Sequence, residues 1–282
     1  MGRRLSPWTI RDRSFVWGQR TYIMAILNVT PDSFSDGGQF DQLETAIVQA
    51  HALIKAGADI LDIGGQSTRP KAEVVPLQAE LDRVIPVIQA IRQSSDIPIS
   101  VDTTRALVAQ AAIAAGADIV NDISGATYDP EMLPTVAALH VPIILMHIRG
   151  TPQTMQQLTQ YDDLMGELLE FLQQRIEAAI AAGIPQDNIA IDPGIGFAKT
   201  YDQNLEILRR LTEFQRLNCP ILVGPSRKSF IGYILDQPDP KQRVWGTAAA
   251  CCAAIAAQSD ILRVHDAREM VEVCRVADAI WR

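Results

Sequence analysis

The chain alternates between short, continuously apolar runs and longer Ala/Leu/Gln-rich stretches. Eight runs, YIMAILN, ILDIGGQSTRP, IPISVDTT, DIVNDIS, VPIILMHIRG, IAIDPG, PILVGPS and DILRVHD, end abruptly in small, polar or charged residues. Most of the stretches between them are long enough for a helix. Apolar runs without alternation suit parallel strands covered on both faces. Strands with polar tails, separated by helices, predict an α/β fold, a TIM (β/α)8 barrel, with its chemistry collected where the strands end. An open doubly wound sheet would share the alternation, but no Gly-x-Gly-x-x-Gly turn follows the first strand.

Local signals agree with this plan. Asp41, with Glu44 three residues on, reads as the N-terminal cap of the first helix. Leu43, Ile47, Ala50, Leu53 and Ile54 then keep helical spacing and give that helix one face for the sheet. An internal echo, Ala56-Gly57-Ala58-Asp59-Ile60 and Ala115-Gly116-Ala117-Asp118-Ile119, twice joins a helical stretch to a strand. Its glycines fall where a helix closes left-handed, a conformation in which a Cβ costs energy. Residues 8–20, with Trp8, Ile10, Phe15, Val16 and Trp17, are expected to form a short N-terminal hairpin over the barrel floor. No Pro/Gly/Ser tract, charge block or low-complexity segment interrupts the chain, so residues 1–282 read as one domain. Such barrels commonly take about 250 residues.

Composition narrows the function. The hydrophobic content of 48% is ample for a buried core. A formal net charge of −8 argues against a general nucleic-acid binder, which carries a basic surface, but leaves room for a local basic pocket. Cys219, Cys251, Cys252 and Cys274 lack metal-ligand spacing and read as small buried hydrophobes in a reducing compartment. Arg3 and Arg4 precede no apolar signal core, and no run approaches the roughly 20 apolar residues of a membrane span. A soluble, cytoplasmic protein is the expectation. Four histidines without a ligand-spaced His/Cys pair speak against a transition-metal centre. A substrate-borne Mg2+ remains compatible, since it needs few protein ligands when phosphates supply the rest.

The strand tails hold the candidate chemistry. Asn28 opens a polar loop, Asn28-Val29-Thr30-Pro31-Asp32-Ser33-Phe34, after the first strand. It suits a hard cation, a phosphate oxygen or a mobile lid, and an ordinary turn would share its composition. The second tail, Asp62 through Pro70, joins two glycines that allow close backbone approach to Ser67, Thr68 and Arg69. That set suits an anion, with the Arg69 guanidinium as a fork for phosphate or carboxylate, although a solvated surface arginine would look the same.

Asp102, Asn121 with Asp122, and Asp192 end the third, fourth and sixth strands. Carboxylates there are expensive to desolvate and need partners, for which an amidine-like heterocycle edge offers paired N–H donors. Helix capping explains any one of them, and three together less well. Arg227 and Lys228 stand at a helix start in the seventh tail, where cations oppose the helix dipole, so a ligand with acceptor oxygens is the natural reason for them. Arg263 and His265, two residues apart in the eighth tail, share one side of the strand, and Asp266 reads as the next helix cap. His147, after the fifth strand, fits a ligand contact or a satisfied structural histidine, with structure favoured. His51 and His140 fall in helical stretches and read as bystanders.

Taken in order, NVTPDSFSDGG, GGQSTRP, SVDTT, NDISG, MHIRGTP, DPGIGFAK, GPSRKSFIG and RVHD closely resemble the bacterial dihydropteroate synthase family, from about residue 22 to the C-terminus. Any one motif is weak; eight in order are specific. The resemblance implies a pterin-binding TIM barrel, usually a homodimer, that acts as a transferase in folate biosynthesis. The family condenses 6-hydroxymethyl-7,8-dihydropterin diphosphate with p-aminobenzoate to give 7,8-dihydropteroate and pyrophosphate. Carried over by motif, Asn28 would hold Mg2+ and a diphosphate oxygen, and Arg263 and His265 would anchor the diphosphate. Asp102, Asn121, Asp192 and Lys228 would line the pterin slot, with Asp192 pairing to the 2-amino and ring N–H edge. Phe34, Thr68, Arg69, Pro70 and Ser229 would form the p-aminobenzoate site as the first two loops close. Asp102, Lys228, Arg263 and His265 would be the catalytic residues.

Two positions depart from the family pattern. Gln66 stands where Glu is usual, and Lys71 replaces a usual Gly after Thr68-Arg69-Pro70. Neither is assigned chemistry. An arylamine is largely uncharged at neutral pH and needs no strong general base, so the hard step is breaking the C–O bond to diphosphate. A dissociative substitution is expected, with Mg2+, Arg263 and His265 on the leaving charge and Arg69 as a further candidate. Asp102 would face the cation left on the pterin methylene. Losing one such partner typically costs about 100- to 1000-fold in rate. A pterin-binding methyltransferase would need no diphosphate anchors, and a catalytically inactive paralogue would keep only the pocket. The Ala-rich stretch 247–257 is a candidate dimer face and equally an ordinary core helix.

Overall fold

The computed structural model describes residues 5–30, 39–70 and 72–282. β1 (Trp8–Ile10) and β2 (Arg13–Phe15) pair antiparallel as the expected hairpin, Trp8 opposite Phe15. Eight parallel strands follow: β3 (Tyr22–Asn28), β4 (Ile60–Gly64), β5 (Ile99–Asp102), β6 (Ile119–Asp122), β7 (Ile143–Met146), β8 (Ile189–Asp192), β9 (Leu222–Val223) and β10 (Ile261–Val264). Their order is β8-β7-β6-β5-β4-β3-β10-β9. A parallel bridge between Ile191 and Ile221 joins the two ends and closes the TIM barrel.

Helices fill the crossovers. They are α1 (Gln39–Lys55), α2 (Leu77–Arg92), α3 (Ala106–Ala115), α4 (Met132–Leu139), α5 (Leu164–Ala181), α6 (Tyr201–Arg209), α7 (Ser229–Ile234), α8 (Val244–Ala256) and α9 (Ala267–Trp281). α1 begins at Gln39, so Asp41 lies inside its first turn and not at the cap position expected of it. No helix among the described residues is long and apolar enough to cross a membrane.

Period-two alternation sorts every strand into an outer and an inner set. Outward residues such as Ile23, Leu61, Val101, Val120, Leu145, Ile191 and Val264 join the helices in one large apolar layer. Inward residues near the strand starts, among them Tyr22, Met24, Ile60, Ile119, Ile144, Ala190, Leu222 and Ile261, form a second apolar cluster. Trp8, Ile10, Phe15 and Trp17 of the hairpin pack into that cluster and plug the floor. The same inward parity, continued toward the strand ends, places Asn28, Asp62, Asp102, Asn121, Asp192, Arg263 and His265 at the mouth. The barrel is therefore apolar at the floor and polar at the rim.

The internal echo has a structural meaning. Gly57 and Gly116 close their helices at φ of +98° and +115°. The aspartate that follows satisfies a neighbouring strand: Asp59 accepts the Ile23 N–H at 2.8 Å and Asp118 accepts the Ile99 N–H at 2.9 Å. Asp260 repeats the device on the Ile221 N–H at 2.8 Å. Each carboxylate thus occupies a backbone donor at a strand start that would be costly to leave unpaired. Among the described residues no cysteine forms a disulfide, and Cys219, Cys251 and Cys274 are buried, as expected of packing residues.

Candidate active site at the carboxyl ends of the strands

Arg263 crosses the mouth of the barrel. Its Nε donates to Asp62 Oδ2 at 2.6 Å and its Nη2 to Asp102 Oδ2 at 2.5 Å. Asn121 Nδ2 donates to the same Asp62 oxygen at 3.3 Å. Asp62 is 0% exposed, and Asp102 and Asn121 are buried with it. Buried charges of this kind persist only when paired, and one guanidinium here serves two carboxylates. Burial pushes the Asp102 carboxyl up to about 7; Arg263 pulls it back, and Asp62, Glu80 and Asp122 push it further up. Asp62 and Asp102 hold Arg263 above its ordinary value against the effect of burial. The sequence reading assigns Asp62 no role. Counting in twos from the floor residue Ile60 is the signal that finds it.

Asp192 ends β8 on the inner face, and its Oδ1 accepts the Gly194 N–H at 2.7 Å. Burial raises its carboxyl to about 6, opposed by that N–H and by Lys228, Arg263 and Lys199. The segment after it folds tightly against its neighbours. A Cβ on Gly194 would lie 2.1 Å from the His147 carbonyl oxygen, and one on Gly196 would lie 2.8 Å from Lys228 Cδ. Lys228 Nζ sits 4.1 Å over the Phe197 ring, a cation–π placement. Burial and Arg263 lower its ammonium to about 8, with Asp192 and Asp102 acting in the opposite direction. Phe197 also belongs to an apolar cluster with Ile123, Met146 and Ile148. These hydrophobes, beside Asp192 and Lys228, are a wall that sequence reading does not single out; Met146 is legible only from its inward parity on β7.

The neighbouring strand ends differ from expectation in two places. Asp122 alternates outward, and its Oδ1 accepts both the N–H and the hydroxyl of Ser124, at 2.7 and 2.6 Å. It closes a local turn after β6 and caps no helix, so only two of the three strand-end carboxylates, Asp102 and Asp192, face the mouth. Arg227 is likewise structural: its Nε donates to Asp266 Oδ2 at 3.0 Å, and its Nη2 donates to the other carboxylate oxygen. Asp266 sits at the N-cap position of α9 but makes no side-chain cap bond, because its carboxylate is turned to Arg227. Lys228 therefore stands alone as the mouth-facing cation of that pair.

His265 Nδ1 lies 3.0 Å from Ser226 Oγ, which also accepts the His265 backbone N–H at 3.2 Å. In the tautomer where the Ser226 hydroxyl donates to Nδ1, Nε2 carries the ring proton and is the donor. Burial, then Arg227, Arg263, Lys228 and Arg69, lowers this imidazole to about 3, so it is neutral. Arg69 of the second tail thus shares an electrostatic neighbourhood with Arg263 and Lys228. Arg69 and Pro70 are exposed, Thr68 is half-buried, and Ser229 is exposed at the start of α7. Asn28 is half-buried at the end of β3.

The base of the second loop is clamped. Arg83 donates to the Gly65 carbonyl at 2.9 Å, and Arg105 donates to the Val75 carbonyl at 2.6 Å while pairing with Glu80 at 2.9 Å. Gln66 Oε1 accepts the Val75 N–H at 3.4 Å. A glutamate could accept that bond equally, so this departure keeps the contact and omits a charge. Phe34 and Lys71 lie outside the described residues. His147 is buried, edge-on to Phe171, with Nδ1 3.0 Å from Lys199 Nζ. Its ring contacts are with Lys199, Tyr161 and Phe171. Among the described residues no group of three or more His, Cys, Asp or Glu is arranged to hold a metal ion.

Comparison with known proteins agrees with this geometry. Residues 24–265 match the model of the pterin binding enzyme family. A dihydropteroate synthase of Synechocystis sp. is 61% identical over 276 residues, 98% of this chain and 96% of that one. A crystal structure of dihydropteroate synthase from Clostridium difficile, in the presence of pteroic acid, superposes with a TM-score of 0.90 at 45% identity, covering 95% of this chain and 99% of that chain. The Xanthomonas albilineans enzyme in complex with 7,8-dihydropteroate gives a TM-score of 0.88 at 39% identity, covering 98% of both chains. With its eight-stranded barrel and its polar mouth, the chain belongs to the dihydropteroate synthase family of pterin-binding enzymes.

Proposed function

We propose that the mouth performs one dissociative substitution with its tasks divided among strand ends. The reaction is that of a dihydropteroate synthase, a transferase of folate synthesis: 6-hydroxymethyl-7,8-dihydropterin diphosphate and p-aminobenzoate give 7,8-dihydropteroate and pyrophosphate. One observation supports this division above the others. Two buried carboxylates, Asp102 and Asp192, and two cations, Arg263 and Lys228, converge on the same barrel mouth beside an apolar wall. A flat heterocycle with paired N–H donors fits the acids and the wall, and an anionic leaving group fits the cations.

In this reading Asp192 accepts the 2-amino and ring N–H edge of the pterin, and Asn121 and Lys228 bind its other polar atoms. Arg263 and the His265 Nε2–H hold the departing diphosphate. When Arg263 turns toward that anion, Asp102 loses part of its counter-charge and faces the cation forming on the pterin methylene. Thr68, Arg69, Pro70, Ser229 and Phe34 receive p-aminobenzoate, whose neutral amine then forms the C–N bond. The amine proton leaves with solvent, so no strong base is required. Stabilisation of charge and positioning are the whole of the catalysis.

Mg2+ fits the donor set in a limited way. Asn28 offers one hard carboxamide oxygen at the inner rim and no carboxylate cage surrounds it, which suits an ion whose remaining ligands are diphosphate oxygens and water. Bound there, the ion would neutralise charge on the leaving diphosphate. We further propose a cytoplasmic homodimer. Its face is the apolar groove of about 370 Å³ between α6, α7 and α8, lined by Leu205, Leu208, Phe230, Ile234, Leu235 and Ala250.

The test is pyrophosphate release from the pterin diphosphate with Mg2+, with and without p-aminobenzoate. Rapid release with the amine and slow release without it are expected. No release with both substrates would overturn the functional reading. No release and no positional isotope exchange in the diphosphate without the amine would overturn the dissociative route alone.

A further inference from the structure

Lys199 is 3% exposed and takes no part in the chemistry above. Its surroundings explain why it is buried. Nζ donates to the Phe197 carbonyl at 2.8 Å and lies 3.0 Å from His147 Nδ1. Burial, with Lys199 and Arg149 nearby, drives His147 down to about 2, so its ring is neutral and Nδ1 serves as the acceptor. Burial lowers Lys199 itself to about 7. A neutral amine still has two N–H groups and there are two acceptors, so either protonation state makes both bonds.

The segment that Lys199 grips is bent sharply. Gly194, Gly196 and Ala198 have φ of +73°, +83° and +51°. A non-glycine residue in that region is strained and persists only where its surroundings over-determine it. Here Tyr161 Oη donates to the Ala198 carbonyl at 3.0 Å, and the Gly196 N–H reaches Asn204 Oδ1 at 2.6 Å. Lys199 adds the tie from the Phe197 carbonyl to a residue beyond the end of β7. Phe197 in turn presents its ring to the Lys228 ammonium.

We propose that Lys199 is a positioning residue for pterin binding: it fastens the Phe197 backbone to His147, and through the Phe197 ring it sets Lys228 in the slot. This rests on the reading of Asp192 and Lys228 as pterin contacts. A lysine that only fills a hole would affect stability and nothing else.

The experiment uses the full chain with Lys199→Met, which keeps length and volume but removes both donors, and Lys199→Gln, whose carboxamide restores two N–H groups. Equilibrium binding of the pterin diphosphate and the KM of each substrate are measured beside thermal melting. Lys199→Met is expected to weaken pterin binding about tenfold, as for a lost or misplaced hydrogen bond to a charged group. The KM for p-aminobenzoate stays unchanged and Lys199→Gln recovers part of the loss. A shifted melting temperature with wild-type pterin affinity overturns the proposal. Should Lys199→Met fail to fold, His147→Phe keeps the ring packed on Phe171 and removes the acceptor, and the same selective loss is expected of it. Asp192→Asn separates the two layers of inference. If it binds pterin as wild type does, the slot reading falls; if it weakens binding and neither Lys199→Met nor His147→Phe does, only the role of Lys199 falls.

Discussion

The Arg263 guanidinium reaches across the barrel to Asp102, Nη2 to Oδ2 at 2.5 Å. The family resemblance gives these residues separate tasks, diphosphate and pterin, whereas the geometry makes them one charge-sharing unit with Asp62 as its fixed end. Arg263→Met would leave two buried carboxylates without their counter-charge. The expected loss of folding stability at pH 7.5 is about 3–5 kcal/mol, the usual cost of breaking a buried pair. The loss shrinks at pH 5, where protonation of Asp102 removes one of the two uncompensated charges. Urea unfolding at the two pH values checks this, and an equal loss at both would contradict the shared-charge account. Pyrophosphate release should fall at least ~100-fold.

The raised Asp192 carboxyl gives pterin binding a pH dependence of known sign. Its pKa is about 6 in the folded protein against an ordinary 3.8. Between those values the folded state holds the proton more often than the unfolded state, so this group's contribution to stability falls as pH rises through that window. Binding runs the other way, because the pterin N–H donors need the ionised form. Affinity for the pterin should therefore drop below about pH 6, toward tenfold per unit. Titration calorimetry from pH 5 to 8 measures it. Asp192→Asn should bind weakly at every pH and lose this limb; a pH-independent wild-type affinity would remove Asp192 from the contact.

What was legible in the sequence was whatever depends on period and punctuation. The eight strands, the hairpin and the helix-closing Gly57 and Gly116 follow from local pattern, and all are observed. Inward parity was legible for Arg263 and His265 because both end one strand. It is harder to see for Asp62, which lies two residues inside the end of β4 and not in the polar tail that follows. Asp122 and Arg227 stand apart from the expectation for one reason: Ser124 engages one Asp122 oxygen locally, Asp266 pairs with Arg227 from the next strand, and composition cannot show where a charge is spent. The Lys199–His147 pair, 52 residues apart in sequence, depends on the closure of the barrel.

Adjacent Arg227 and Lys228 should part company when mutated. Arg227 pairs with Asp266 through two N–H donors and also holds a left-handed backbone at φ +59°. Arg227→Ala should cost about 2 kcal/mol of stability through the lost charged hydrogen bonds. Its pterin affinity should stay within twofold of wild type. Lys228→Ala should fold normally, since burial already disfavours its charge, and should weaken pterin binding at least tenfold, the loss of about 1.4 kcal/mol. Thermal melting paired with pterin titration separates the two. Equal effects of both substitutions on affinity would restore Arg227 to the site.

The groove between α6, α7 and α8 calls for a partner of its own kind. Tyr233 and Trp245 are 71% and 75% exposed, and Ile234 and Leu235 lie open beside them. Monomeric proteins rarely expose contiguous apolar patches beyond a few hundred Å², and a stable interface buries about 800 Å² per partner. The small side chains of α8, Gly246, Ala249, Ala250 and Ala253, line the same groove and let a second backbone approach closely. Self-association across a twofold axis is the economical way to cover such a face. Light scattering at micromolar concentration should give twice the chain mass of 30.9 kDa. Trp245→Glu and Ile234→Glu should each shift the protein to monomer, because a carboxylate at a desolvated interface costs several kcal/mol. Ile234 and Trp245 are both exposed in the separated chain, so the variants should stay folded. A wild-type monomer, or a dimer unmoved by both substitutions, would place the association face elsewhere.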